Sequence, residues 1–131
     1  MQYMLLIYDD EQLWAGMDEA QRGQVFQAYG ADTEDMRQKG AFVAGDALQP
    51  TSTATTVRER DGDRLVTDGP FAETKEQLGG YYLIDVPGMD EAIAAGEKLP
   101  SARMGSIEIR PVMEFPDQAA AVDAAVAQAE G

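Results

Sequence analysis

The stretch with the clearest potential for chemistry runs from Thr67 to Val86, and it contains an acid held in a constrained turn. Asp68 is followed by Gly69 and Pro70. Pro70 fixes its own φ and disfavours the α region for the residue before it, while glycine can adopt backbone angles closed to other residues. Such a turn would hold the Asp68 carboxyl at the edge of a sheet. A carboxylic acid in a partly closed pocket there could act as an acid or base in proton transfer.

Two interpretations of Asp68 are open at this point. In the first, Asp68 is catalytic and lies in a pocket with polar neighbours. In the second, its side chain accepts hydrogen bonds from the turn backbone and stabilises the end of the strand. The candidate ligand-binding residues around it are Tyr8, Tyr29, Asp46, Phe71 and Lys75.

Two residue types that are common in enzyme sites are absent from the 131-residue chain, which has no cysteine and no histidine. Disulfides, Fe–S clusters and thiolate chemistry are therefore excluded, as are imidazole general bases, His-bound haem and the usual catalytic zinc sites. We expect no metal and no cofactor. The first eight residues lack a basic region and a long apolar run, so we expect neither a signal peptide nor a membrane span, and a cytoplasmic location is compatible.

The charge balance also restricts the partners of this protein. Asp and Glu number 24 against 10 Lys and Arg, a formal net charge of −14. Because phosphate binding relies on basic side chains, we expect no association with nucleic acid or with anionic membranes.

The elements that must position these residues follow from periodicity and capping signals. Apolar residues occupy both faces of strands predicted at 2–8 and 81–86, so both strands should be covered on both sides. A polar loop is expected at 9–16, where Trp14 covers the core edge or contacts a ligand or second subunit. Asp18 should cap a helix that continues to Lys39, and Asp90 one at 91–99. The remaining predictions are a strand at 41–48, a hairpin around Asp61-Gly62-Asp63, a possible helical turn at 72–78 and a last strand at 106–112.

This order predicts an α+β domain over residues 1–115, with an Ala-rich acidic tail at 116–131. Apart from the hairpin, the order is a ferredoxin-like βαβ–βαβ arrangement, in which both helices cover one face of the sheet. Because the first and fourth major strands are apolar on both faces, something must cover the other face. A second copy of the chain is the economical answer, and we expect a homodimer.

Several motifs together resemble the DGPF, or YCII-related, family of small bacterial proteins. The resemblance extends from about Met1 to Phe115. The motifs that carry it are Asp68-Gly69-Pro70-Phe71, Ala72-Glu73-Thr74-Lys75-Glu76, Gly80-Tyr81-Tyr82, Gly40, Gly45-Asp46-Ala47-Leu48-Gln49-Pro50, Thr55-Thr56-Val57-Arg58 and Glu108-Ile109-Arg110-Pro111. The resemblance implies a dimeric α/β-barrel type of association, and it suggests a link to extracytoplasmic-function sigma factors. Some members of the wider group carry a His–Asp pair, but this chain has no histidine, and Asp68 is its only matching acid.

Two classes of function are compatible with these observations. The favoured hypothesis is a dimeric small-ligand-binding or accessory protein of the YCII-related family, with a possible connection to sigma-factor regulation. The alternative is a cofactor-free enzyme that uses Asp68 as acid or base, similar in architecture to small dimeric isomerases and monooxygenases.

Overall fold

A computed structural model describes residues 1–115 and 125–129 of the chain. The strands are β1 (Gln2–Asp9), β2 (Phe42–Ala47), β3 (Thr55–Arg60), β4 (Asp63–Asp68), β5 (Gln77–Asp85) and β6 (Ser106–Pro111). The helices of the first 115 residues are α1 (Glu11–Ala15), α2 (Glu19–Gln38), α3 (Met89–Glu97) and α4 (Ser101–Met104), with one 3₁₀ turn at Thr51–Thr53. Residues 125–129 are helical and exposed, whereas the rest of the predicted tail lies outside the described residues. No helix in the described part of the chain is both long enough and apolar enough to cross a membrane.

The chain is an α+β protein whose main sheet has the strand order β2-β5-β1-β6, with every neighbouring pair antiparallel. One face of the central strand β1 is buried, through Tyr3, Leu5 and Ile7. This face packs with residues of β5, α2, α3 and the α3–α4 connection, which together form the hydrophobic core. Ile84 and Leu99 are completely buried there, and burying a side chain of this size stabilises the fold by roughly 1.5–3 kcal/mol.

The opposite face of the sheet is also apolar. Met4, Leu6 and Tyr8 alternate with the core residues of β1, and Leu83 lies beside Met4 on β5. All four are half-buried rather than buried. We refer to these four residues as the open face. The predicted apolar character of both strand faces is confirmed.

The capping and turn signals of the sequence account for two elements. Asp18 accepts from the Gln21 backbone N–H at 2.7 Å and Gln21 bonds back to the Asp18 N–H at 2.9 Å, which is a capping box at the start of α2. Asp61 and Gly62 have φ of 53° and 81° and join the paired residues Arg60 and Asp63, the geometry of a two-residue type I′ hairpin turn. Both predictions are confirmed.

Three local predictions were wrong. Residues 11–15 form a helix rather than a loop, because the Asp10 side chain accepts from the Gln12 N–H and caps it. The possible helical turn at 72–78 is absent, since the Thr74 side chain bonds the Glu76 carbonyl and β5 already begins at Gln77. The cap of α3 is Gly88, and Asp90 lies in the first turn, where its charge favours the helix dipole.

Candidate functional site

A cavity of about 380 Å³ lies between α2 and the sheet. Its aromatic lining residues are Trp14, Phe26, Tyr29, Phe42, Tyr81 and Tyr82, and its charged ones are Asp9, Glu11, Arg37 and Asp46. We call it the α2 cavity. Its α2 wall includes Val25, Tyr29, Thr33 and Arg37, which are spaced four residues apart and therefore follow one side of the helix. Tyr29 and Arg37 are separated by about 12 Å along the helix axis at 1.5 Å per residue.

Two glycines make the sheet wall of the cavity possible. A Cβ atom on Gly45 would lie 2.7 Å from the ring atom Cδ1 of Tyr82, and one on Gly80 would lie 2.8 Å from the backbone oxygen of Asp46. Real side chains do not approach so closely, so larger residues would displace the Tyr82 ring or separate β2 from β5. The Gly45-Asp46 and Gly80-Tyr81-Tyr82 motifs thus shape the cavity through backbone packing.

One end of the α2 cavity carries a chain of hydrogen bonds. Ser101, which is completely buried, donates its hydroxyl proton to Asp9 Oδ2 at 2.8 Å. Because that proton is already used, the hydrogen bond between Tyr29 and Ser101 Oγ must be donated by the tyrosine. The Ser101 backbone N–H also donates to the Tyr29 oxygen at 3.3 Å. These bonds join β1, α2 and the start of α4.

Burial raises the pKa of Tyr29, and its hydrogen bond with Ser101 opposes this shift. The tyrosine is thus held as a neutral hydrogen-bond donor. Within the described residues, the other Asp9 carboxyl oxygen, Oδ1, is buried without a hydrogen-bond partner. The Asp9 carboxyl therefore depends on Ser101 for the hydrogen bond that compensates its burial.

A second pair of hydroxyl groups lies farther along α2. Thr33 donates its proton to the Tyr29 backbone oxygen at 2.8 Å, so the 2.6 Å bond between Thr33 and Tyr82 must be donated by Tyr82. The Tyr82 ring is thereby fixed against α2, and its oxygen retains free acceptor capacity. Phe42 packs edge-on against this ring, with the centroids 6.2 Å apart.

The other carboxylates of the cavity already accept hydrogen bonds. Glu11 accepts from both the backbone N–H and the hydroxyl of Thr51, each at 2.8 Å. Asp46 Oδ2 accepts from the Tyr81 hydroxyl at 2.8 Å, and this bond raises the pKa of Tyr81. Glu11 therefore ties α1 to the 3₁₀ turn at Thr51–Thr53 beside the cavity. Asp46 and Tyr81 are paired opposite Leu6, so their hydrogen bond joins β2 to β5 on the same face of the sheet as Leu6.

The Asp68 turn lies elsewhere, on the β3–β4 hairpin. Gly69 has a φ of 96°, its N–H donates to the Ala54 carbonyl at 2.7 Å, and its carbonyl accepts from the Thr56 hydroxyl at 2.8 Å. Arg58 also donates to the Phe71 carbonyl at 3.1 Å. The Thr55-Thr56-Val57-Arg58 and Asp68-Gly69-Pro70-Phe71 motifs are thus two sides of one hydrogen-bonded unit, and Asp68 itself is exposed.

The structure brings together only part of the predicted site. Tyr29 and Asp46 line the α2 cavity. Tyr8 belongs to the open face, while Asp68, Phe71 and Lys75 are exposed and line neither the α2 cavity nor a second cavity between α2 and α3. The expected grouping of Asp68 with Tyr8, Asp46 and Lys75 is therefore not formed within one chain, and the catalytic role of Asp68 stays a prediction.

Sequence reasoning missed Asp9, Arg37 and Ser101, and it left Trp14 between two roles. Trp14 lines the α2 cavity, with its ring centroid 5.3 Å from that of Phe26. Arg37 could have been found, because it follows Tyr29 and Thr33 at the same four-residue spacing within the predicted helix. Ser101 could not, since its partner Asp9 is 92 residues away and no local pattern connects them.

A second cavity of about 330 Å³ lies between the end of α2 and α3. Asp35 bonds Lys39 at 2.9 Å and Lys98 at 3.4 Å, and the hydrogen bond with Lys39 is the main reason that the pKa of Asp35 is lowered. Burial raises the pKa of Asp32, although Lys98 opposes this shift. The lysines of this cavity are therefore already paired with an acid.

Comparison with known proteins identifies the family of this chain. The model of the YCII-related domain matches residues 1–116. A protein of Rhizobium meliloti (strain 1021), described only as uncharacterized, is 38% identical over 114 residues, which cover 86% of this chain and 92% of that protein. The match takes in both the α2 cavity and the hairpin with its Asp68 turn. The chain belongs to the YCII-related domain family.

Proposed function

We propose that this protein binds a small organic molecule in the α2 cavity. The observation that carries the proposal is the cavity itself, about 380 Å³ of space walled by aromatic rings. Pockets for small ligands begin at about 300 Å³. The cavity combines apolar walls with a few fixed polar groups, which is the usual composition of a small-molecule site.

The polar groups at one end support a role in ligand orientation. Tyr29 is held by Ser101, and Tyr82 is held by Thr33, so both hydroxyls have defined proton positions before a ligand arrives. The Tyr82 oxygen can still accept a hydrogen bond from a ligand, whereas the Tyr29 oxygen already accepts one from the Ser101 backbone N–H. Preorganisation of this kind lowers the entropy cost of binding.

We further propose that two copies of a ferredoxin-like domain associate through the open face. The strand order β2-β5-β1-β6 supports the ferredoxin-like description. The half-exposed Met4, Leu6 and Leu83 support the interface, because water would be excluded from them only in a complex. A specific interface needs about 1,200–2,000 Å² of buried surface in total, and a four-stranded sheet offers a face broad enough to contribute much of that area.

The exposed position of Asp68 argues against the alternative function, a cofactor-free enzyme, within a single chain. An exposed carboxyl is surrounded by water and lacks the enclosed surroundings that suit acid–base catalysis. A connection to an extracytoplasmic-function sigma factor remains a proposal that rests on the family resemblance.

The single tryptophan makes the binding proposal directly testable. Because Trp14 lines the α2 cavity, a ¹⁵N-labelled sample has one indole N–H signal, and this signal reports on the site. We expect at least one fraction of a bacterial metabolite extract to shift this signal together with the backbone signals of Gly45 and Tyr82. Filling the cavity through Ala47→Phe should abolish the shift, since Ala47 lines the same space. Shifts confined to the second cavity or to the hairpin would contradict the proposal.

A further inference from the structure

Arg37 is the one basic residue that lines the α2 cavity, and its side-chain N–H groups are available to a ligand. Within the described residues, the Arg37 side chain makes no hydrogen bond and no ion pair in a chain that carries 24 acids. The lining carboxylates of Asp9, Glu11 and Asp46 each accept at least one bond from a protein group. Arg37 therefore offers charged donors whose natural complement is an anionic acceptor, whereas the buried Asp9 Oδ1, which has no partner among the described residues, would take a donor group of the same ligand.

The Arg37 guanidinium also contacts the wall of the cavity. Its central carbon lies 4.8 Å from the centroid of the Phe42 ring, a cation–π contact. A guanidinium in contact with an aromatic ring can still donate from its N–H groups, and it can bind a carboxylate through two parallel hydrogen bonds. Arg37 is exposed at the surface, so an incoming anion can reach it without displacing the core.

From these observations we propose that the ligand of the α2 cavity is a small apolar or aromatic carboxylic acid. This inference rests on the proposed function and specifies the ligand class. The carboxylate binds Arg37, and the apolar body lies among Trp14, Phe26 and Tyr82. The cavity of about 380 Å³ has the volume of roughly a dozen water molecules, so the acid has about a dozen non-hydrogen atoms.

The net charge of −14 opposes an anionic ligand, and its effect depends on distance. Charges exposed to solvent are largely screened beyond about 8 Å at physiological salt. The buried Asp9 end of the cavity is joined to Tyr29, about 12 Å along α2 from Arg37. An anion bound at Arg37 therefore contacts the guanidinium directly, whereas Asp9 acts on it only from a distance and the exposed surface acids act through salt screening.

Three probes of one shape and different charge test the ligand class. They are 4-tert-butylbenzoate, the neutral 4-tert-butylbenzamide and the cationic 4-tert-butylbenzylammonium ion. All three absorb little light at the wavelengths that excite tryptophan selectively, so the fluorescence of Trp14 can be followed during titration. We expect the benzoate to bind at least tenfold more tightly than either analogue, which corresponds to about 1.4 kcal/mol.

Substitution of Arg37 identifies the source of the preference. Arg37→Gln should remove the advantage of the benzoate over the benzamide, and Arg37→Lys should retain only part of it, because an ammonium group does not bind a carboxylate in the two-point manner of a guanidinium. Arg64→Gln is the matched control, since Arg64 is an exposed arginine of β4 outside the cavity and its loss changes the net charge equally. This control variant should bind the benzoate as the unchanged protein does.

The possible outcomes separate this inference from the proposed function. If the benzamide or the ammonium ion binds as tightly as the benzoate, the ligand class is wrong although the cavity still binds a small molecule. Equal weakening by Arg37→Gln and Arg64→Gln would overturn the role of Arg37. If none of the three probes binds at millimolar concentration, the ligand class is contradicted, whereas the binding function of the cavity is contradicted only if the metabolite extract also fails to shift the Trp14 signal.

Discussion

Replacement of Ser101 by alanine removes only one oxygen atom, but it should destabilise the fold considerably. Ser101 is completely buried, and its hydroxyl joins Asp9 to Tyr29. A hydrogen bond to a charged group contributes about 1.5–3 kcal/mol and a neutral one about 0.5–1.5 kcal/mol. Removing both should lower the free energy of unfolding by about 3 kcal/mol, because the Asp9 carboxyl would then be left without a hydrogen bond among the described residues.

Denaturant unfolding followed by circular dichroism measures this loss at one fixed protein concentration, because dimerisation would make stability depend on concentration. Ser106→Ala is the matched control, since the Ser106 hydroxyl also bonds a carboxylate, Glu76, at 2.7 Å but is exposed. We expect the control variant to lose less than about 0.5 kcal/mol of unfolding free energy.

A double-mutant cycle tests the pair Ser101 and Asp9. Ser101→Ala and Asp9→Ala together should lower the free energy of unfolding by about 1–3 kcal/mol less than the sum of the two single losses. A loss below about 1 kcal/mol for Ser101→Ala, or strict additivity with Asp9→Ala, would refute the reasoning.

Three further predictions concern the turn, the open face and the second cavity. Thr56→Val should cost about 1 kcal/mol in denaturant unfolding, because it removes the bond to the Gly69 carbonyl, whereas Asp68→Asn, at an exposed site, should cost less than about 0.5 kcal/mol. Leu6→Glu should convert the proposed dimer into a monomer in sedimentation equilibrium, since it would bury a carboxylate in an apolar interface. At pH 7, Asp32→Asn should raise stability and Asp35→Asn should lower it, and unfolding curves between pH 7 and pH 3 should show both differences shrinking with acidification.

The opposite signs for the last pair follow from the directions of the two pKa shifts. Burial raises the pKa of Asp32, so the folded chain loses stability as the pH rises from the ordinary carboxyl value through the raised one. The hydrogen bond with Lys39 lowers the pKa of Asp35 in the folded chain. The ionised Asp35 therefore stabilises the fold at pH values above the ordinary carboxyl pKa, and this stabilisation is lost as the pH falls through the lowered pKa. If Asp32→Asn and Asp35→Asn change the free energy of unfolding in the same direction at pH 7, this account is contradicted.

A Leu6→Glu variant that remains dimeric would contradict the proposed interface. A greater loss of stability for Asp68→Asn than for Thr56→Val would contradict the assignment of the turn.

Much of the fold could be predicted because its signals are local. The alternation in β1, the capping residue Asp18 and the Asp61-Gly62 turn each act within a few residues, and the structure confirms all three. The start of β5 at Gln77 was harder to predict, because Gln77 pairs with Asp9 of β1, which lies almost seventy residues away in the sequence.

The candidate site was less predictable for the same reason. The sequence marked Asp68 because turn chemistry is visible locally, but such a signal describes the backbone of a segment and says little about its neighbours in space. The Asp9–Ser101–Tyr29 chain depends on three separate elements that meet only in the folded protein. Arg37 lies within the predicted helix, yet its contact with Phe42 requires the turn at Gly40, where the positive φ of 72° redirects the chain into β2.

A crystal structure grown in the presence of a bacterial metabolite extract tests the central claim most directly. The account predicts electron density for a small acid inside the α2 cavity, with its carboxylate on Arg37 and its apolar part beside Trp14. An α2 cavity that contains only water, while density for an organic molecule lies at Asp68 on the hairpin, would contradict it.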